Sequence, residues 1–338
     1  MKIVIDWRTF LKADTLDWLL EKDNPSARYF TLTEILERNN HDPEVEEAKS
    51  EIMKTGIVQK ILSKQKPEGY WGVSEDFYVR SKYKGTVWQL IILAELGADG
   101  ADTRVEKACE FILNNSQDYG SGGFSYLGSK KVGGLHSGVL PCLTGNMVWS
   151  LIRLGYLRDP RVQKGIDWIS RYQRFDDGEG EAPTGWPYDK FEKCWGRHTC
   201  YMGVVKTLKA LAEIPVNERS IKVKETIERG LEYVLKHHIY RRSHDLSRVG
   251  KQSWALLRFP RMWEVDALEI LLILTRLGVK DERMKGAVDL VLSKQGEDGK
   301  WRLEDTRNGR FLVNIEQLGK PSKWITLNAL QMLKSFYG

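Results

Sequence analysis

Two short stretches of this chain carry glutamine, glycine and tryptophan at one spacing: Gln65-Lys66-Pro67-Glu68-Gly69-Tyr70-Trp71 and Gln295-Gly296-Glu297-Asp298-Gly299-Lys300-Trp301. Each follows apolar residues at helical intervals, Ile57, Ile61 and Leu62 before the first, Val288, Val291 and Leu292 before the second. Looser copies lie between them. Gln117 precedes Gly122-Gly123-Phe124, and Gln173 precedes Gly185-Trp186 across an inserted acidic loop. The glutamines are 52, 56 and 122 residues apart, the last gap being close to two periods. A period of this size means stacked supersecondary units, because one such unit cannot bury its apolar face alone.

The segments between the loops read as helices of two kinds. One kind is apolar or small nearly all round, as in Trp88-Gln89-Leu90-Ile91-Ile92-Leu93-Ala94, and predicts burial: 86–96, 144–154, 199–211, 266–277 and 325–336. Three of these run into Leu-Gly at Gly97, Gly155 and Gly278, the signature of a left-handed helix terminus. The other kind keeps a charged face and predicts an outer position: 104–113, 161–172, 221–235 and 282–292. With apolar segments at 15–20, 32–36 and 45–62, the chain offers about six inner and six outer helices. Strand signals are almost absent. The expectation is an all-α protein, a single (α/α)6 toroid over residues 1–338, with divergent first hairpins in 1–60 and recognisable repeats in 61–338. The last helix reaches Phe336 without a polar cap, which favours a closed ring over an open solenoid.

Composition narrows the class. The 338 residues are 41% hydrophobic and 29% charged, and 12 Trp, 13 Tyr and 10 Phe exclude a disordered chain. No apolar run is long enough to cross a bilayer, and the start, Met1 to Trp7, is broken too early for a signal peptide. Four cysteines are no disulfide framework, so a reducing, cytoplasmic setting is expected. A formal net charge of +6 on this length does not by itself call for nucleic acid.

The glutamine–glycine–tryptophan spacing resembles the prenyltransferase and squalene-cyclase repeat family, whose fold is a toroid of six helical hairpins. The likeness runs from about Gln65 to the C-terminus and implies that the motif residues stabilise the fold. Arg197-His198-Thr199-Cys200-Tyr201 is similar to a His-Thr-Cys-Tyr run of protein prenyltransferase β subunits, in which the His ligates zinc. Cys142 in Val139-Leu140-Pro141-Cys142 matches a ligand Cys of the same family, but Leu140 stands where the family has a ligand Asp. That departure leaves the implied zinc site one ligand short. Cys142, Cys194 and His198 are the expected ligands, with Cys200 a fourth or a replacement, since zinc takes four Cys or His ligands. The alternative is that these are small buried residues, as free Cys commonly is. Cys109 reads as core of an outer helix.

Other residues are candidates for chemistry. Squalene-type cyclases protonate an alkene from an Asp-x-Asp-Asp motif; here Trp263-Glu264-Val265-Asp266 keeps one Asp, and Val265 occupies the donor position. Asp266 is therefore either an acid with a shifted pKa or, as favoured, a helix N-cap. Lys130 and Lys131 lie where the resemblance places diphosphate-binding residues, and Arg197 adjoins His198. The run from Arg174 to Glu181 lacks the third Asp of a magnesium–diphosphate motif and reads as a solvated acidic loop. The basic stretch from Lys236 to His244 reads as a solvated face. Trp88, Trp149, Trp195, Trp263 and Trp324 fall at or near inner-helix starts, where rings could line an apolar cavity and stabilise a cation.

The reading favoured is an isoprenoid-acting enzyme, a prenyl transferase or a terpene cyclase, binding an isoprenoid or other apolar small molecule, with zinc as expected cofactor. Two alternatives stay open. One is a non-catalytic binding protein with a structural zinc; the other is a carbohydrate-active toroid using carboxylates such as Glu264 and Asp266. Prenyltransferase β subunits work with a helical partner, so a protein partner is also compatible.

Overall fold

The computed structural model describes residues 6–54, 56–129 and 132–338. The chain is predominantly α-helical. In order the helices are α1 (Leu16–Leu19), α2 (Pro25–Phe30), α3 (Pro43–Lys54), α4 (Gly56–Leu62), α5 (Thr86–Glu95), α6 (Thr103–Asn115), α7 (Pro141–Arg153), α8 (Pro160–Tyr172), α9 (Glu192–Trp195), α10 (Tyr201–Ala212), α11 (Ile221–Lys236), α12 (Ala267–Arg276), α13 (Lys285–Ser293) and α14 (Lys323–Tyr337). A π-helical turn, Thr31–Ile35, continues α2. Strand is confined, among the described residues, to two small antiparallel ribbons, Gly128–Ser129 with Gly133–Gly134 and Arg241–Arg242 with Asp245–Val249. Two compact units result: one holds residues 1–61, 237–261 and 266–338, the other 62–236 and 262–265.

In the second unit the apolar helices α5, α7 and α10 are packed side by side, and nearly every residue of each is buried. Helices α7 and α10 come closest, because Gly145 presents no side chain; a Cβ there would sit 2.5 Å from the carbonyl carbon of Lys206. The amphipathic helices α6, α8 and α11 bury one stripe each. For α6 that stripe is Val105, Ala108, Cys109, Ile112 and Leu113, at the i, i+3, i+4 intervals that put residues on one helical face. Gly97, Gly155 and Gly278 all take positive φ just after their helices, as the Leu-Gly signature predicts.

The repeated glutamines are clamps. Gln65 Nε2 donates to the Gly69 carbonyl at 3.1 Å and to the Arg104 carbonyl at 2.7 Å. Gln117 repeats this with Gly122 and Arg161, at 2.9 and 2.7 Å. One amide group thus closes its own loop and ties that loop to the first turn of the following outer helix. Glycine is required at the turn: at Gly122, φ is +87°, and a Cβ would lie 2.5 Å from the Lys164 carbonyl oxygen. The loop then hands over to the next inner helix. The backbone N–H of Trp71, Phe124 and Trp301 donates to the hydroxyl of Thr86, Thr144 and Thr326 respectively. In the third copy the corresponding donor is Asp176, to Thr199, only three residues after Gln173. Gly185 and Trp186 therefore lie outside the clamp, and Gln173 Nε2 bonds the Arg174 carbonyl instead.

The first unit uses the N-terminal segment where another outer helix would serve. Lys12 N donates to Gln295 Oε1 at 3.2 Å, and Gly299, with φ at +75°, lies against the Ala13 carbonyl. The apolar end of α14 is covered in the same unit: Phe10 stacks on Tyr337 at 4.0 Å, and Lys334 Nζ donates to the carbonyls of Glu34 and Ile35. Burial by these segments explains why α14 lacks a polar face.

A second repeated signal opens the outer segments. Asp102-Thr103-Arg104, Asp159-Pro160-Arg161 and Asp281-Glu282-Arg283 share one geometry. The Asp carboxylate accepts from the backbone N–H two residues on, and the Arg side chain folds back on it. Hydrogen bonds from the Arg hold all three carboxyls below the ordinary range, Asp281 to about 2. Because the folded-state pKa is depressed, the stabilisation is present above about pH 4 and is lost as pH falls toward 2. Each Asp→Ala change is expected to cost about 1 kcal/mol, and the triple variant should show a flatter acid limb in urea melts collected against pH.

Candidate functional site

The start of α5 gathers an aromatic group in the second unit. Trp88, one turn into α5, stacks on Tyr78 with centroids 4.9 Å apart and planes 14° apart, and its Nε1 donates to the Tyr78 carbonyl at 3.0 Å. Tyr83 packs at 5.3 Å from Trp88 and receives a hydrogen bond on its hydroxyl from Trp263 Nε1 at 3.3 Å. The Lys82 ammonium lies 4.5 Å above the Trp263 ring. Trp88 is buried, whereas Trp263 is half-buried and keeps part of its surface open. Here aromatic faces cluster while their polar edges are satisfied within the group.

Tyr78 connects this cluster to the cysteines. Its hydroxyl is hydrogen-bonded to the Cys142 thiol, and burial, followed by Cys142 and Cys194, pushes its pKa well up. Cys142 begins α7, Cys194 lies on α9, and Cys200 is the N-cap residue of α10. The three thiols are near enough to act on one another. Burial and then Cys200 drive Cys194 up to about 12, and burial, Cys200 and Cys194 drive Cys142 higher still.

His198 does not join them. Its side chain is 64% exposed and its Nδ1 lies 3.6 Å from Asp177 Oδ1. The cause is local: residues 176–177 pair with 198–199, Thr199 N donating to the Asp176 carbonyl at 2.9 Å, and this draws the imidazole to Asp177 over Gly178. Among the described residues no group of three or more His, Cys, Asp or Glu side chains is arranged to hold a metal ion. Among the described residues Cys142, Cys194 and Cys200 thus form a half-buried thiol cluster, and His198 of the expected zinc set stands apart from it.

The acidic loop is pinned, where the sequence suggested a solvated one. Arg174 is buried; its Nε donates to Asp176 Oδ2 at 2.6 Å and its Nη1 to the carbonyls of Trp195 and Gly196. Lys236 pairs with Asp177 and Glu179, so the basic stretch begins by gripping this loop. Arg197 is exposed and donates to the Gly178 carbonyl at 3.1 Å. Lys130 and Lys131 lie outside the described residues.

The remaining tryptophans have separate surroundings. Trp149 donates Nε1 to Glu213 Oε1 at 3.2 Å, under the Lys209 ammonium 3.7 Å from its centroid, and that ammonium pairs with Glu95 at 2.5 Å. Trp195 packs edge-on against Trp168 and Tyr188 as plain core. Trp324 belongs to the first unit, where Phe259 lies flat on it at 4.5 Å.

Asp266 is fully buried and is the N-cap of α12. Its Oδ1 accepts from Glu269 N at 2.8 Å and its Oδ2 from Arg258 N at 3.1 Å, with Arg261 Nε 3.9 Å away. Burial raises its pKa, against the attraction of Arg261 and Arg258. The cap and the shifted carboxyl are the same group.

One constellation had no signal in the sequence. His136 Nδ1 lies 2.7 Å from Asp118 Oδ2, which also accepts from the Ser121 hydroxyl at 2.5 Å; the imidazole stacks on Trp186 at 3.8 Å, and Trp186 Nε1 donates to the His136 carbonyl. These residues come from two long loops, and nothing in their local spacing announces the contact.

No protein-family model matches the chain, and no curated protein matches it by sequence. Solved structures do match over most of its length. A protein from Actinoplanes is 16% identical, with 92% of this chain and 89% of that one covered, at a TM-score of 0.43. The apo type II terpene cyclase MstE from Scytonema is 16% identical, with 92% and 87% covered, at a TM-score of 0.42. A variant of that cyclase in complex with geranylgeranyl dihydroxybenzoate, its substrate, gives 16% identity, 93% and 87% coverage and a TM-score of 0.41.

Proposed function

We propose that this chain is an isoprenoid-acting enzyme that holds a prenyl chain against Tyr78, Tyr83, Trp88 and Trp263. The observation that carries this reading is the closure of that group's polar edges on itself, Trp88 on the Tyr78 carbonyl and Trp263 on the Tyr83 hydroxyl. Trp88 and Tyr83 are buried, so the accessible ring surface for apolar contact is that of half-buried Tyr78 and Trp263, whose indole N–H is already satisfied. Each methylene buried contributes about 0.8 kcal/mol, and each ring facing a developing carbocation adds about 0.5–2 kcal/mol. The repeat resemblance points to the same substrate class.

Fluorescence titration of the purified chain with geranylgeranyl diphosphate, together with mass spectrometry of co-purifying lipid, tests the reading. Saturable quenching is expected, weakened about tenfold, or about 1.4 kcal/mol, in Trp88→Leu and in Trp263→Leu. Absence of quenching and of any bound lipid would sink it. A second reading, a non-catalytic prenyl-binding protein, is favoured by one observation. Both oxygens of Asp266 already accept backbone hydrogen bonds, so the one surviving acid of the cyclase-like motif is committed to capping. Product analysis after incubation separates the two: binding without conversion selects the second.

A further inference from the structure

The segment that leaves the Gln295 repeat, Trp301-Arg302-Leu303-Glu304, alternates as a half-buried strand does. Trp301 and Leu303 are buried, whereas Arg302 and Glu304 fall on the opposite side, since residues two apart along an extended backbone share a face. Backbone bonds within the first unit fix this segment. Leu303 N donates to the Lys320 carbonyl at 3.0 Å and Gly319 N to the Leu303 carbonyl at 2.7 Å, while Glu304 N donates to the Leu257 carbonyl at 2.9 Å. Against it lies a cavity of about 350 Å³, lined by Lys294, Arg302, Leu303, Glu304, Leu318 and Gly319.

The charges on this cavity do not balance. Lys294 Nζ is 2.7 Å from both oxygens of Glu304, and Glu304 Oε2 also accepts from Leu257 N at 2.8 Å. That ammonium and that carboxylate are matched to each other. Arg302 is left over. It is exposed, donates from Nη1 to the Gly319 carbonyl at 3.2 Å, and makes no ion pair among the described residues. On the same cavity Leu318 leaves 55% of its surface exposed. A guanidinium presents five N–H donors in a planar fork that fits a carboxylate. One surplus positive charge together with open apolar surface suits a singly charged, amphipathic ligand. The volume stands near the lower end of the roughly 300–1,000 Å³ found for small-molecule sites, which limits the ligand's size.

We propose that this cavity binds a small organic monocarboxylate, with its carboxylate on Arg302 and its short apolar body against Leu318. The site is complete within the first unit and does not rest on the isoprenoid function proposed above.

NMR titration of the full chain with hexanoate tests the site, with acetate, hexanol and hexyl phosphate as comparisons. Hexanoate should saturate. Acetate, which lacks the apolar body, should bind at least about fivefold more weakly, and hexanol, which lacks the charge, at least about tenfold more weakly. Arg302→Gln should weaken hexanoate about tenfold and bring it level with hexanol. Leu318→Ser should cost hexanoate about two- to fivefold while leaving acetate unchanged. Both side chains are exposed, so both variants should fold. Lys320→Gln removes a neighbouring exposed charge that does not line the cavity and should change nothing. Hexyl phosphate bound more tightly than hexanoate would overturn the monocarboxylate assignment. Hexanoate that does not saturate, or binds no better than hexanol, would overturn the site. Equal weakening in Lys320→Gln and Arg302→Gln would do the same, by reducing the binding to diffuse surface attraction.

Discussion

Asp266→Ala is expected to destabilise the protein by about 3–5 kcal/mol. The carboxylate is fully buried, caps α12 through Glu269 N and holds Arg258 N, with Arg261 alongside. Truncation leaves two backbone N–H groups without acceptors and a buried guanidinium without its counter-ion. Asp266→Asn keeps one acceptor oxygen and should lose about half as much. The pH dependence separates the charge from the cap. Burial holds the folded-state pKa above its unfolded value. The ionised form is therefore the strained one, and this group's contribution is largest below the unfolded pKa and diminishes as pH rises through the folded one. Urea melts across that window should show a slope for the wild type that Asp266→Asn lacks. Equal midpoints for wild type and Asp266→Ala would mean that the cap carries no weight.

Trp301→Ala is expected to cost a similar amount, about 3–5 kcal/mol. The indole is fully buried and donates Nε1 to the Val291 carbonyl at 2.6 Å, while its backbone N–H rests on Thr326. The substitution opens a cavity and leaves the Val291 carbonyl, one of the last of α13, with only its hydrogen bond from Lys294 N. Trp301→Phe fills most of the volume and loses only the hydrogen bond, so about 1–2 kcal/mol should go. Thermal melts of the two variants give the split between packing and polar capping. A Phe variant as damaged as the Ala variant would shift the weight to the hydrogen bond.

The linear order of residues was enough to find the helices and most of what terminates them. Apolar periodicity distinguishes the buried α5 and α7 from the one-faced α6 and α8, and glycine after leucine marks three helix ends. Such signals are local, since helix hydrogen bonds span four residues and a left-handed terminus needs one. The clamp glutamines were visible by repetition, though what they clamp was not: Gln65 reaches Arg104, a carbonyl 39 residues on. The Asp-x-Arg caps were equally available as a repeat, and a search for acids before outer helices would have found them.

Tertiary structure alone settled where the chemistry-bearing side chains went. His198 and Cys200 are two residues apart, yet the imidazole follows Asp177, because a short backbone pairing brings 176–177 to 198–199. The same folding leaves Cys142, Cys194 and Cys200 together, puts Trp263 beside Tyr83 across 180 residues, and sets Trp324 under Phe259. These destinations depend on which loop packs against which helix start. A loop's path is fixed by contacts distant in sequence, so residue spacing, which encodes periodicity so well, carries almost no record of it.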